Sequence, residues 1–164
     1  MASPASRMTR AGLWKEAKMR KEVLQRAIKD APCPVRFVKE GGTREKEIVK
    51  EWGFRPYAWY HYSPATIYIL RNYPNYQTLG FLYHEWGHHL RPNLGGGTTA
   101  EYWAIKYTLQ RLLKEEHYHT LLNELRLWRR PDNATIHIIA YKKLVKTKLW
   151  KDCVKAVRKW RKKK

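Results

Sequence analysis

The sequence predicts an α+β fold in a single domain, residues 1–164. Its centre is a small, mainly antiparallel three-stranded sheet packed on a helix carrying His84, Glu85 and His88, followed by a helix carrying Glu101. Extra basic helices stand at both ends. Three observations predict this. Short strand-like segments are confined to residues 34–70, helical periodicity dominates the chain beyond residue 75, and 34 Lys and Arg outweigh 14 Asp and Glu with a concentration toward the ends. At 164 residues the chain can bury one real core and is marginal for two domains.

Taken in order, residues 1–8 read as flexible and 9–31 as an N-terminal helix, ahead of a core at 34–113 and a basic helical extension at 114–164. Within the core, Pro34-Val35-Arg36-Phe37-Val38-Lys39 alternates apolar and polar residues as a half-buried strand does. Tyr57 to Tyr62 is aromatic and strand-prone, and Ala65-Thr66-Ile67-Tyr68-Ile69-Leu70 is a third strand. A helix then runs from Tyr76 to Leu90, with Leu79, Leu82, Tyr83, Trp86 and Leu90 spaced as a buried stripe. Arg91-Pro92-Asn93-Leu94-Gly95-Gly96-Gly97 must end it, because Pro92 does not continue a helix and the glycines permit a tight reversal. Thr98 or Thr99 can cap the next helix, from Ala100 to about Leu113. His117 to Trp128, Thr135 to Thr147 and Trp150 to Trp160 complete the helices, with Asn133 as a cap for the second of these.

The chemistry sits at His84-Glu85-Trp86-Gly87-His88, an H-E-x-x-H pattern. Residues four apart on a helix lie about 40° apart around its axis, so both imidazoles project from one face. Two neutral imidazoles so placed can hold Zn²⁺, and Glu85 can take a proton from a metal-activated water. The pattern is short, but its position on a helix with a separate apolar stripe supports a site over two merely solvated histidines. A third protein ligand is needed. Glu101, in the first turn of the next helix, reaches the site if the two helices pack antiparallel; otherwise it only complements the helix dipole. His89, His117 and His119 compete for that role. No H-x-x-G-x-x-H extension is present after His88, which disfavours a metzincin.

His84-Glu85-Trp86-Gly87-His88 and then Glu101-Tyr102-Trp103-Ala104 one helix later resemble the compact gluzincins, the minigluzincins and ImmA/IrrE-type metallopeptidases. The resemblance covers roughly residues 34–113, with a shorter loop between His88 and Glu101 than in most relatives. It implies a zinc metalloendopeptidase in which His84, His88 and Glu101 bind Zn²⁺ and Glu85 is the general base. It also implies a downstream His or Tyr as oxyanion donor, for which Tyr107, His117, His119 and Tyr141 are the candidates. In that family the strand before the zinc helix is an edge that pairs with an extended peptide or protein substrate, a role falling here on Thr66, Ile67, Tyr68 and Ile69. The alternative is that this strand is internal to the core.

Net charge is +20, with 12 Lys or Arg against Asp152 alone from Lys142 to Lys164, and eight basic residues in the first 29. Such a surface can neutralise phosphates and release counterions, so non-sequence-specific nucleic-acid contact is expected; a merely solvated surface is the competing reading. A nucleic-acid-binding or regulatory protein with little or no protease activity is the alternative function. A protease acting near nucleic acid, or one kept latent by a terminal segment, stays open as well. Trp52 and Trp59 are core residues or line a cleft. Cys33 and Cys153 form no C-x-x-C, and no apolar stretch reaches 18 residues. With no signal-like apolar run at the N-terminus, a reduced, cytoplasmic setting is expected.

Overall fold

The computed structural model describes the backbone of residues 10–164 and the side chains from Arg20 onward, so the expected flexible stretch 1–8 lies outside the described residues. The chain runs through α1 (Arg10–Lys29), β1 (Val35–Val38), α2 (Thr43–Trp52), β2 (Ala58–Tyr62), β3 (Ala65–Leu70), α3 (Asn75–Leu90), α4 (Thr98–Lys114), α5 (Tyr118–Leu127), α6 (Thr135–Leu144) and α7 (Lys148–Lys162). The fold is α+β, with seven helices and a three-stranded sheet among the described residues.

The sheet departs from the expected pattern. Its order is β1-β3-β2, with β1 parallel and β2 antiparallel to β3, so it is mixed rather than mainly antiparallel. β3 is therefore the central strand. Ile67 pairs with both Val35 and Tyr60, and Tyr68 with both Arg36 and Trp59, so Thr66, Ile67, Tyr68 and Ile69 cannot form an edge for a substrate. The physical reason is visible in the side chains. Ile67 and Ile69 enter the main core on one face, while Leu70 joins Val38, Ile48 and Trp59 in a second cluster on the other. A strand covered on both faces is where an unbroken apolar run belongs. The sheet's outer edges are β1 and β2.

α2 supplies the second cover through Ile48 and ends at Gly53, whose φ of 74° is the left-handed conformation that glycine adopts without strain. On the opposite face, α3 is buried almost all round, from Thr78 to Gly87. Leu79, Leu82, Tyr83 and Trp86 share the main core with Ile67, Ile69 and Tyr60, as expected of the stripe, whereas Leu90 is 52% exposed. Leu24 and Ala27 of α1 close the same core.

After α3 a single 3-10 turn, Pro92–Leu94, and two glycines at positive φ, Gly95 and Gly97, reverse the chain into α4. Gly97 rather than Thr98 or Thr99 is the N-cap, with no side-chain cap bond; both threonines lie inside the helix. α4 packs closely on α3 because Gly87 has no side chain: a Cβ there would lie 2.8 Å from Cα of Ala104. Two turns further along the same face of α4, Arg111 ties the pair together. Its guanidinium lies 3.9 Å from the Trp86 ring centre and 4.4 Å from that of Tyr83, and its Nε is 2.8 Å from Glu115 Oε1.

The C-terminal helices α5, α6 and α7 all pack against α4, and α5 and α7 also pack against each other. Asn133 does not cap α6; its Nδ2 donates to the Leu127 carbonyl at 2.9 Å and Ala134 is the N-cap. Thr147 caps α7 instead, accepting from the Trp150 backbone N–H at 3.3 Å. Trp150, Cys153 and Val157 form its buried stripe, and Cys33 and Cys153 are unpaired. No helix among the described residues is long and apolar enough to cross a membrane.

Candidate metal centre

Helical spacing on α3 and the reversal into α4 bring three side chains together. His84 Nε2 and His88 Nε2 are 3.2 Å apart. The Glu101 carboxylate straddles them, Oε2 at 3.1 Å from His84 Nε2 and Oε1 at 3.4 Å from His88 Nε2. One ligand atom from each residue falls within 4.8 Å of the others, so this group could hold a metal ion. His84 and Glu101 are buried and His88 nearly so. Glu101 Oε2 lacks an aligned hydrogen bond despite its close nitrogens, as a lone pair directed at a shared central point would.

Charge in this pocket is tightly coupled. Burial opposes ionisation of Glu101, but His137, His84 and His88 outweigh it and hold the carboxyl well below the usual carboxylate range. Burial also opposes the His88 imidazolium, yet Glu101 and Glu85 outweigh it and push the group up. Glu85, 7% exposed, is raised by burial, with the neighbouring imidazoles only partly offsetting this. A carboxylate so desolvated is more basic than one in water, which suits a proton acceptor.

His137 touches the centre and Tyr62 lies within its electrostatic reach; neither is among the sequence-predicted site residues. His137, near the start of α6, places Nε2 2.9 Å from Glu101 Oε2. It arrives there because α6 packs along α4, and Trp128 stands beside it at 5.2 Å between ring centres. Tyr62, at the end of β2, donates its hydroxyl to the Gly95 carbonyl at 2.9 Å. Its phenol is raised first by burial and then by the charges of Glu85 and Glu101. In the sequence His137 is one histidine in a Thr-Ile-His-Ile-Ile run, with no spacing rule relative to His84 or Glu101.

The four candidate oxyanion donors make their contacts elsewhere. Tyr107 accepts from Arg111 at 2.8 Å, and His117 pairs with Glu115 at 3.2 Å. His119 lies against Tyr76 and Trp160 and within 3.1 Å of Arg20, while Tyr141 packs on Trp150. Of the rival metal ligands, His89 turns to the Tyr60 hydroxyl at 3.1 Å, and His117 and His119 are occupied as described. Trp59 is core, stacked on Tyr68, whereas Trp52 is 40% exposed beside Phe54.

Behind His84 lies a second buried acid. Trp128 stacks on the His84 ring with centres 5.3 Å apart, and its Nε1 donates to Glu124 Oε2 at 3.0 Å. Glu124 is 1% exposed, and burial pushes its carboxyl up to about 7 despite that bond. No family model, curated protein or solved structure matches this chain.

Proposed function

We propose that this protein is a zinc-dependent metalloendopeptidase of gluzincin type. The observation that carries the reading is the triangle of ligand atoms with a buried Glu85 beside it. Bonds of about 2.0–2.1 Å at tetrahedral angles set two zinc ligands about 3.3 Å apart. The separations here are 3.2, 3.1 and 3.4 Å. Two imidazoles and one carboxylate are also the donor set that leaves a catalytic zinc one open position.

A bound zinc ion supplies Lewis-acid polarisation of the scissile carbonyl and lowers the pKa of its water. Glu85 accepts the proton of the attacking water and returns it to the leaving amine. His137, on the Glu101 side of the pocket, donates to the carbonyl oxygen as negative charge develops there. Substrate backbone pairs with the outer edge of β2, since β3 is already paired on both sides and Tyr62 brings β2 to the pocket rim.

Metal analysis after dialysis tests the centre. Wild type is expected to retain one zinc per chain. His88→Ala and Glu101→Ala should retain almost none, since losing a direct ligand costs more than the roughly 10- to 100-fold typical of a lost supporting partner. Zinc retained by Glu101→Ala would remove Glu101 from the ligand set. His137→Ala separates a donor from a ligand: peptide turnover should fall about 100-fold while zinc content stays at one per chain. Loss of zinc in that variant would make His137 a ligand and sink its role as donor.

The reading extends to nucleic acid through α7. Arg129, Lys151, Lys155, Arg158, Lys159 and Lys162 rim a groove over Trp150 and Val154, so the basic residues form one continuous face. That continuity supports phosphate contact over a diffuse solvated surface. The second functional reading, a nucleic-acid-binding or regulatory protein with little protease activity, rests on this face. Peptide cleavage assayed with and without DNA at two salt concentrations decides between them. Cleavage stimulated by DNA supports a protease working near nucleic acid; salt-sensitive binding without any cleavage supports the second reading.

A further inference from the structure

His84 turns Nε2 toward Glu101 and His88, which leaves Nδ1 pointing away from the centre. That Nδ1 is buried and has no hydrogen-bond partner among the described residues. A histidine that ligates through Nε2 carries its proton on Nδ1, and such a proton is almost always taken by a carboxylate, a carbonyl or a water. Apart from Glu101 Oε2, which faces the centre on the Nε2 side, one buried polar atom near His84 is also unpartnered, Oε1 of Glu124.

Two independent contacts bring the Glu124 carboxylate toward His84. Trp128 bridges the pair, its ring stacked on the imidazole and its Nε1 bound to the other oxygen of Glu124. Gly80 lies one helical turn before His84, and a Cβ there would collide with Oε1 and stand 2.9 Å from Cδ of Glu124. Side chains on a helix lean toward its N-terminus, so the His84 ring reaches over the position of residue 80. Glycine inside a buried helix is unfavourable by propensity. Here its missing side chain is the space the carboxylate occupies.

We infer that Glu124 is a positioning residue for the metal centre, receiving the Nδ1–H of His84 with at most one water between them. The carboxylate fixes the tautomer and the ring plane of His84 and makes its Nε2 a stronger donor to the metal. Trp128 holds the carboxylate in place, and Gly80 leaves room for it. The inference rests on the metal-centre reading.

Zinc affinity by chelator competition, together with thermal unfolding of the zinc-free protein, tests it in the full chain. Glu124→Gln preserves shape and an acceptor for Trp128 but removes the anion; zinc binding is expected to weaken about 10- to 100-fold. Gly80→Ala, which displaces the carboxylate without altering its charge, should weaken it in the same direction. In Glu124→Gln the zinc-free protein should unfold no earlier than wild type, because the change leaves no cavity and keeps an acceptor for Trp128; Gly80→Ala also crowds a buried side chain, so it is read by zinc affinity alone. Unchanged affinity in Glu124→Gln, or weaker binding matched by an equally destabilised zinc-free protein, overturns the inference. A wild type that takes up no zinc overturns the metal-centre reading beneath it.

Discussion

Glu85→Gln should leave a protein that folds and holds one zinc per chain yet hydrolyses peptide about 10²- to 10⁴-fold more slowly, the range of a lost general base. The substitution preserves volume and hydrogen-bonding reach and removes only the capacity to accept a proton. Glu85 is not among the three ligands that converge, so metal content should be indifferent to it. Folding should be indifferent or slightly improved, since Glu85 is buried and its ionised form is disfavoured there. Zinc by metal analysis, unfolding temperature and turnover of a fluorogenic peptide are the three readouts. Full turnover in Glu85→Gln would end the assignment of the base. Loss of zinc along with turnover would instead place Glu85 in the ligand set.

Much of the site was legible because helical geometry is local. The placement of His84 and His88 on one face needs only the 3.6-residue repeat, and the reversal into α4 comes from Pro92 and the glycines. That Glu101 closes on them is less local: it depends on how near two helices approach, which a glycine at position 87 permits but does not announce. The three strands are legible too, but not their order. β2 and β3 are joined by a short turn and their antiparallel pairing is expected; β1 joins from the far side, in parallel, across an intervening helix and strand. The unbroken apolar run from Ile67 to Leu70 did carry the signal of a central strand. α2 is hidden because Thr-Arg-Glu-Lys-Glu leads a helix with one buried apolar residue, Ile48, too few for a period to emerge.

The groups missed near the centre share a different cause. His137 and Glu124 come from helices whose packing on α3 and α4 is set by the whole C-terminal core. In the sequence, a buried glutamate looks like any surface glutamate, and a lone histidine in an apolar helix like a core residue. Only three-dimensional proximity distinguishes them. By contrast the basic face of α7 needed no tertiary information, since Lys and Arg repeat opposite Trp150, Cys153 and Val157 along a single helix.

Gly87→Ala tests the one approach that the ligand set depends on. The new Cβ would meet Ala104 at 2.8 Å from Cα and 3.2 Å from its carbonyl oxygen, which are backbone atoms with no rotamer to change. Ordinary carbon contacts are about 3.5–4.0 Å, so α4 must move away from α3 by roughly 1 Å. Overpacking of this kind costs about 3 kcal/mol, which for a chain of this size lowers the unfolding temperature by roughly 6–12 °C. Alanine's better helix propensity returns at most about 1 kcal/mol of that. Glu101 lies one turn before Ala104 on the same helix and moves with it. Metal geometry tolerates deviations of only about 0.2 Å, so the same shift should cost zinc as well as stability. Measured together, unfolding temperature and zinc content should both fall, although no ligand has been altered. A variant with wild-type values of both would mean that α3 and α4 are free to separate, and that the spacing of His84, His88 and Glu101 is set by something other than Gly87.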